Sequence, residues 1–322
     1  MLELSHNAAV DSMDLKMRIL FIGGTRFVGL AMAQHALARG HVVDIFHRGN
    51  TVPLGLEGAT HIQGDRGGSL CALSQGEWDA VVDLCAYRPH EVQALVTALG
   101  SRVGHYVLIS SLSVYADDVP PRFTEEAALA DTGGLAGQDL KTMALGASSY
   151  GPLKVLCERA LAQRPGKQLI IRPCYVIGPQ DYTQRFPEWV RRIAAGGIVP
   201  APGPREAPMN YIDARDLASF VVRCIEREAT GALNTTAPQG SYSFENFLEA
   251  TLAAVGPAGT QLDWLTPEQA KASGLSFPLW AGGTMENKRT ADSSAAVALG
   301  LSCRSLQQSA SDVLQWDRAT SR

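Results

Sequence analysis

Short apolar runs alternate with stretches of helical spacing through the first half of this chain. The apolar runs lie at residues 17–22, 41–46, 78–85, 105–110 and 168–172, with a further short strand predicted at 60–63, and helices are predicted to end near residues 38, 99 and 162. Nearly continuous apolar strands that are separated by helices indicate a parallel sheet covered on both faces. We therefore predict an α/β fold with a doubly wound parallel sheet.

The pattern becomes irregular in the second half of the chain. Proline and glycine recur at 178–179, 196–197 and 200–204, around predicted helices at 187–195 and 243–255. At 322 residues the chain is long enough for two domains. We predict three parts: a disordered extension at 1–16, a dinucleotide-binding domain at 17–172, and a smaller C-terminal substrate lobe at 173–322. The strand and helix at about 211–225 are expected to return to the first domain.

A glycine-rich turn joins the first strand to the first helix. Gly23 and Gly24 allow a tight turn, and Gly29 allows the helix to lie close to the strand. The first N–H groups of that helix have no partner within it, and the helix dipole adds partial positive charge there. This junction therefore predicts a Rossmann-type domain that holds the pyrophosphate of a dinucleotide.

The end of the second strand favours a particular nicotinamide cofactor. An acidic residue usually binds the adenosine ribose there, and this chain has His47 and Arg48 instead. Arg48 can pair with a 2′-phosphate, and Arg26 can approach it from the glycine turn. We predict NADP(H) in preference to NAD(H), with NAD(H) as the alternative. Asp65, after the third strand, fits two roles, an adenine contact and a turn cap.

Tyr150 and Lys154 lie four residues apart, on one face of a helix. An ammonium beside the phenol favours the phenolate, so Tyr150 can exchange a proton with a substrate hydroxyl or carbonyl. Pro152 is compatible with this helix if Ser148 or Ser149 caps it, because the proline then falls in the first turn. The pair is therefore predicted to be catalytic.

Serines follow the fifth strand directly. Ser111 is placed to hydrogen-bond the reacting oxygen beside Tyr150, with Ser113 behind it. The alternative is that these hydroxyls only satisfy loop backbone.

Composition limits the function classes. The net charge is −4 with no concentration of Lys and Arg, which argues against nucleic-acid and anionic-membrane partners. The six cysteines and seven histidines form no metal-binding spacing, so no metal site is predicted. The cysteines are scattered and no long apolar segment lies near the start, which favours a cytoplasmic protein. A small molecule is the expected substrate.

Together these motifs resemble the extended short-chain dehydrogenase/reductase superfamily, in its NAD-dependent epimerase/dehydratase-like branch. The resemblance rests on the glycine motif at 23–29, Gly64-Asp65, Ser111, Tyr150, Lys154, Arg172-Pro173, Gly178-Pro179 and the segment at 210–218. It implies a Ser–Tyr–Lys triad and, as in many members, a homodimer. The residues expected to contact the cofactor are Gly23, Gly24, Thr25, Arg26, Phe27, Val28, Gly29, His47, Arg48, Asp65, Arg66, Cys85, Ala86, Tyr87 and Pro173.

Three departures from the family pattern narrow the function. Arg26 replaces the middle glycine of sugar-nucleotide epimerases, Leu112-Ser113 replaces the Asp-Glu pair of dehydratases, and Met209 replaces an arginine that binds the diphosphate. The resemblance therefore favours an oxidoreductase that passes hydride between nicotinamide and a secondary alcohol or ketone. One alternative is an epimerase or dehydratase acting on a sugar or sugar nucleotide with transient redox. Another is a non-catalytic RNA-binding protein, since the glycine motif also resembles chloroplast stem-loop RNA-binding relatives.

Overall fold

Seven parallel strands form the central sheet of the described residues. The computed structural model describes residues 16–50, 55–237, 242–282 and 290–320. The strands of this sheet are β1 (Arg18–Ile22), β2 (Val42–His47), β3 (Thr60–Gln63), β4 (Trp78–Asp83), β5 (Val103–Ile109), β6 (Lys167–Pro173) and β10 (Gly231–Thr235). Their spatial order is β3-β2-β1-β4-β5-β6-β10. The order reverses between β1 and β4, and ligands of such sheets bind at the carboxyl ends of the strands there.

Helices cover both faces of the sheet. On one face α1 (Phe27–Ala38) packs against α5 (Ala214–Glu226), and on the other α2 (Pro89–Leu99) packs against α3 (Ala147–Ala162). Each face has its own apolar core, because strand residues that point in opposite directions are both buried. The predicted doubly wound α/β fold is confirmed.

The C-terminal half contributes short strand pairs and further helices. Strand β7 (Tyr175–Ile177) pairs with β9 (Tyr211–Asp213), and β8 (Ile198–Pro202) pairs with β11 (Gln261–Leu265). The remaining helices are α4 (Arg185–Ala194), α6 (Phe244–Val255), α7 (Pro267–Ala272), α8 (Ser294–Ala298) and α9 (Leu306–Thr320). An aromatic core that includes Phe186, Trp189 and Phe247 holds α4 and α6 together.

The division of the chain into domains stays a prediction. Helix α5 leaves β9 and packs on α1 of the sheet, and β10 adds a strand beside β6. The expected extension at 1–16 lies outside the described residues except for Lys16.

Candidate active site

A cleft of about 1590 Å³ opens at the carboxyl edge of the sheet. All but one of the predicted catalytic and cofactor-contacting residues line it. The exception is Ala86, which is fully buried in the core beside α2. The structure therefore brings together residues that are spread over 150 positions of sequence, from Gly23 to Pro173.

The glycine turn has the geometry of a phosphate cradle. Gly23 and Gly24 have φ angles of +90° and +103°, which L side chains rarely adopt. A methyl group on Gly29 would lie 2.6 Å from Cα of Gly24, so α1 can approach the turn only with glycine there. The start of α1 thus presents backbone N–H groups to the cleft with no Cβ in the way, and these residues fit a dinucleotide pyrophosphate.

Arg26 reaches across the cleft. Its guanidinium carbon lies 5.6 Å from the ring centre of Tyr182, which belongs to the segment between β7 and α4. A stacked arginine and tyrosine thus connect the glycine turn with the opposite wall. The predicted approach of Arg26 to a 2′-phosphate stays a prediction.

The end of β2 carries a pair of imidazoles. Nε2 of His47 lies 2.9 Å from Nδ1 of His61, and the Gly49 N–H donates to Nδ1 of His47 over 3.1 Å. Burial lowers the pKa of His47 below its usual range, and His61 lowers it further. His47 therefore favours the neutral form, and Arg48 supplies the positive charge beside it.

The residues that follow β3 form hydrogen bonds and an ion pair with neighbouring groups of the protein. Oδ1 of Asp65 accepts the Gly67 N–H over 2.9 Å, in agreement with the turn-capping role. Arg66 forms a bidentate ion pair with Asp83, in which Nη1 donates to Oδ1 and Nη2 donates to Oδ2 over 2.7 Å. Tyr106 also donates to that buried carboxylate, over 2.6 Å. Arg66 lines the cleft floor, but its guanidinium is directed to Asp83.

Cys85 lies under the glycine turn. Its Sγ donates to the Ile22 carbonyl over 3.4 Å, and burial raises the pKa of the thiol to about 11. The thiol therefore stays protonated, as expected for a packing residue rather than a nucleophile.

Helix α3 places Tyr150 and Lys154 on the cleft side. The Lys154 ammonium is 5.9 Å from the Tyr150 ring centre and donates to the Ile109 carbonyl over 2.9 Å. Only 2% of Lys154 is exposed. A buried ammonium beside a phenol can stabilise the phenolate, because little water screens the interaction.

The expected start of α3 was wrong. Gly146 caps the helix, and Ser149 acts from inside the first turn, where its Oγ accepts the Gly146 N–H over 2.9 Å. The helix therefore starts earlier, and Pro152 is its sixth residue rather than part of the first turn. Pro152 has no N–H to donate to the Ser148 carbonyl, yet the helix continues to Ala162.

Gly151 sets the distance between α3 and the serine loop. A methyl group at this position would lie 2.1 Å from the Ser113 carbonyl oxygen. The missing side chain lets the backbone at Ser113 approach the helix next to Tyr150.

Ser111 and Ser113 bond to each other at the cleft wall. Ser111 Oγ accepts the Ser113 N–H over 3.1 Å and donates to Ser113 Oγ over 3.1 Å. Ser111 Oγ thus caps the loop backbone, which is the alternative role expected of these hydroxyls, and both serines line the cleft. A role of Ser111 toward substrate stays a prediction.

A buried polar network behind the serines was not predicted. Arg172 donates to both carboxylate oxygens of Glu158, over 3.1 and 2.7 Å, and to the Tyr115 hydroxyl over 2.7 Å. Ser110 donates to Glu158 over 2.5 Å. This network fixes α3 to β6 and to the serine loop. Glu158 follows Lys154 by four residues, which is the sequence signal that could have found it.

Other site types are not found in the described residues. No helix among them is long and apolar enough to cross a membrane. No group of three or more His, Cys, Asp or Glu side chains among them could hold a metal ion.

Comparison with known proteins gives a family match. The model of the NAD dependent epimerase/dehydratase family matches residues 19–236, which is more than half of the chain. A chloroplast stem-loop binding protein of 41 kDa b from Arabidopsis thaliana is 27% identical over 230 residues, which cover 66% of this chain and 56% of that protein. The chain thus matches little more than half the length of this curated relative.

Solved structures share the fold across almost the whole chain. A putative epimerase from Burkholderia cenocepacia J2315 superposes with a TM-score of 0.72 at 19% identity, covering 95% of this chain and 99% of that one. A UDP-glucose-4-epimerase from Stenotrophomonas maltophila, with bound NAD and formylated UDP-arabinopyranose, gives 0.71 at 20% identity and covers 95% and 99%. At these identities the likeness concerns the fold.

Proposed function

The chain belongs to the NAD dependent epimerase/dehydratase family. We propose that it is an enzyme of the extended short-chain dehydrogenase/reductase class, an oxidoreductase that prefers NADP(H). Its substrate is a small molecule with a secondary alcohol or ketone. The observation that carries this proposal is the convergence of Tyr150, Lys154 and Ser111 on the cleft that contains the glycine turn. A phenol, an ammonium and a hydroxyl are the groups that carbonyl reduction requires.

Each residue has a distinct part in the chemistry. When bound, the nicotinamide supplies or accepts the hydride. Tyr150 gives a proton to the substrate oxygen during reduction and takes it during oxidation. Lys154 stabilises the phenolate that remains. The Ser111 hydroxyl turns its one proton from Ser113 Oγ to the substrate oxygen and so orients that oxygen. The glycine turn would hold the diphosphate through backbone N–H groups.

Preference for NADP(H) is supported by the end of β2. Arg48 lines the cleft directly after the strand. Because burial lowers the pKa of His47, positive charge at this end comes from Arg48 rather than from the imidazole. Asp44, further back in β2, is fully buried and accepts the Trp78 indole N–H over 2.7 Å, so it does not face this position. A 2′-phosphate would meet a guanidinium rather than a carboxylate.

The test follows the absorbance of reduced nicotinamide. Purified protein is incubated with NADPH and a panel of ketones, or with NADP⁺ and secondary alcohols. We expect a net absorbance change that Tyr150→Phe slows by roughly 10²–10⁴-fold while the variant still binds NADPH. Full activity of Tyr150→Phe would contradict the assignment.

An epimerase with transient redox is the second candidate. It is favoured by the UDP-glucose-4-epimerase that shares the fold and holds NAD with a UDP sugar. Against it stand Arg26, in place of the middle glycine of sugar-nucleotide epimerases, and Met209, whose apolar and buried side chain offers no charge to a diphosphate. Substrate turnover without a net change in nicotinamide absorbance would favour this candidate.

The plant relative is named as a stem-loop binding protein, and RNA binding is the non-catalytic alternative for this chain. The net charge of −4 and the placement of the Tyr-Lys pair in the cleft favour the enzyme. Tight binding of a structured RNA at moderate salt, unaffected by Tyr150→Phe, would favour the binding protein. We further propose that the protein acts in the cytoplasm, where its six free thiols would stay reduced. We also propose a homodimer, as the family resemblance implies.

A further inference from the structure

Lys154 has two aromatic neighbours rather than one. Its ammonium lies 5.1 Å from the ring centre of Tyr87 and 5.9 Å from that of Tyr150. The Ile109 carbonyl accepts one of its three protons. A buried ammonium loses its water shell, so the negative face of an aromatic ring becomes an important source of compensation.

Tyr87 is held rigidly at the start of α2. Its backbone N–H donates to Oε2 of Glu91 over 3.2 Å. The next residue, Arg88, donates to the Leu140 and Met143 carbonyls over 3.1 and 2.8 Å, in the loop that leads into α3. The backbone at Tyr87 is therefore fixed relative to the loop that leads into the helix carrying Lys154.

We propose that Tyr87 is a positioning residue for Lys154: the face of its ring holds the buried ammonium between two phenols and keeps it charged beside Tyr150. The inference rests on the proposed function in that it gives Lys154 a role toward Tyr150. Tyr87 acts through its ring face, and its hydroxyl takes no part in this role.

The other ionisable groups around Lys154 do not compensate its charge, because they are neutral or bound by other partners. Burial raises the pKa of Tyr87 above its usual range, with the neighbouring Tyr150 adding to it, so Tyr87 stays neutral. Burial also raises the pKa of the Cys157 thiol on α3 to about 12, and that thiol stays neutral too. The Glu158 carboxylate, one turn after Lys154, is bound by Arg172 and Ser110.

The experiment measures ionisation of the Tyr150 phenol without any substrate. Near-ultraviolet difference titrations are recorded for the wild type, Tyr87→Phe, Tyr87→Leu and Tyr87→Met. Each is paired with the same protein carrying Tyr150→Phe, and the subtraction isolates the Tyr150 signal. Far-ultraviolet circular dichroism and thermal unfolding show that each variant is folded. The methionine variant has a longer and more flexible side chain that can adapt to the space left by the ring, and it replaces the leucine variant if that one does not fold.

We expect the aliphatic variants to move the midpoint of Tyr150 ionisation upward by about one pH unit. Tyr87→Phe keeps the ring face and should leave the midpoint in place. An unchanged midpoint in a folded aliphatic variant overturns the inference. An equal shift in Tyr87→Phe also overturns it, because the hydroxyl would then be responsible.

This result is independent of turnover. If the wild type turns over no alcohol or ketone but the aliphatic variants shift the midpoint, the inference stands and the proposed function fails. If turnover depends on Tyr150 and no Tyr87 variant shifts the midpoint, the proposed function stands and the inference fails.

Discussion

Arg48 projects from the first position after β2, next to an imidazole that His61 and the Gly49 N–H hold in place. Because burial and His61 both lower the pKa of His47, positive charge at this end of the cleft comes from the arginine. Recognition of a phosphate on the adenosine ribose should therefore depend on this one guanidinium more than on the histidine.

Replacement of Arg48 tests cofactor choice. In Arg48→Asp we expect the affinity for NADPH to fall by roughly 10–100-fold, because a charged hydrogen bond is lost and a like charge is added. The affinity for NADH should be maintained or increase. Fluorescence titration with both nucleotides measures the ratio. Arg159→Asp changes the net charge equally but lies outside the cleft lining, and should leave the ratio unchanged. Equal affinities of the wild type for the two nucleotides would remove the predicted preference.

At the scale of single residues, the sequence predicted which side chains line the cleft. It did not predict which groups of the protein those side chains contact. Arg66 is followed by glycines after β3, and nothing in the motif indicates that Asp83, from β4, binds its guanidinium. Tyr87 is 67 positions from Lys154, and only the packing of α2 on α3 brings them together. Such contacts depend on tertiary packing, which no local pattern encodes.

At the scale of elements, α5 and α9 are joined by a buried carboxylate. Asp213 caps α5 by accepting the Arg215 N–H over 2.9 Å, and its other oxygen accepts the Ser309 hydroxyl over 2.7 Å. Arg215 also donates to it through the guanidinium, over 2.7 Å. Burial opposes the charged form, but these partners outweigh burial and hold the pKa of Asp213 below its usual range.

The lowered pKa of Asp213 predicts an acid-sensitive contribution to stability. A carboxylate whose folded pKa is depressed stabilises the protein above the ordinary Asp pKa, and this stability is lost as the pH falls through the folded value. We expect Asp213→Asn to cost about 1–3 kcal/mol at neutral pH, and the deficit to shrink in acid. Urea unfolding at several pH values measures it.

Asp312→Asn is the matched control for this prediction. Asp312 binds the same arginine, but its side chain is 31% exposed, so the loss should stay below about 1 kcal/mol. A deficit of Asp213→Asn that is constant from neutral to acidic pH would argue that the charge is not responsible.

The long apolar elements could be predicted, whereas short or interrupted ones could not. The strands β1, β2, β4, β5 and β6 have nearly continuous apolar runs, and their order of connection by helices indicates the parallel sheet. The short β3 is the exception, since it was predicted although Ile62 is its one apolar residue. The strand β10 was missed because its five residues include only two apolar side chains, Ala232 and Leu233. The start of α3 was misplaced because Ser149 satisfies the backbone from within the helix, which the usual serine cap does not do.

At the scale of the whole molecule, one cleft is built from both halves of the chain. The first half supplies the glycine turn, the serines and α3, and the second supplies the opposite wall from residues near Tyr175, Asn210 and Trp280. The irregular pattern of the second half predicted a substrate lobe. The shape of the opposite wall could not be predicted, because the short strand pairs and loops that form it have no regular sequence pattern.

The stacked pair of Arg26 and Tyr182 affects the order in which the two ligands bind. A molecule already seated against the segment that carries Tyr182 would narrow the entrance to the glycine turn. We therefore expect compulsory-order kinetics, with the dinucleotide entering first and leaving last. Product-inhibition patterns measure this order, and Tyr182→Ala should loosen it toward random entry. Random-order binding in the wild type would mean that the Arg26–Tyr182 stack opens freely and does not determine which ligand binds first.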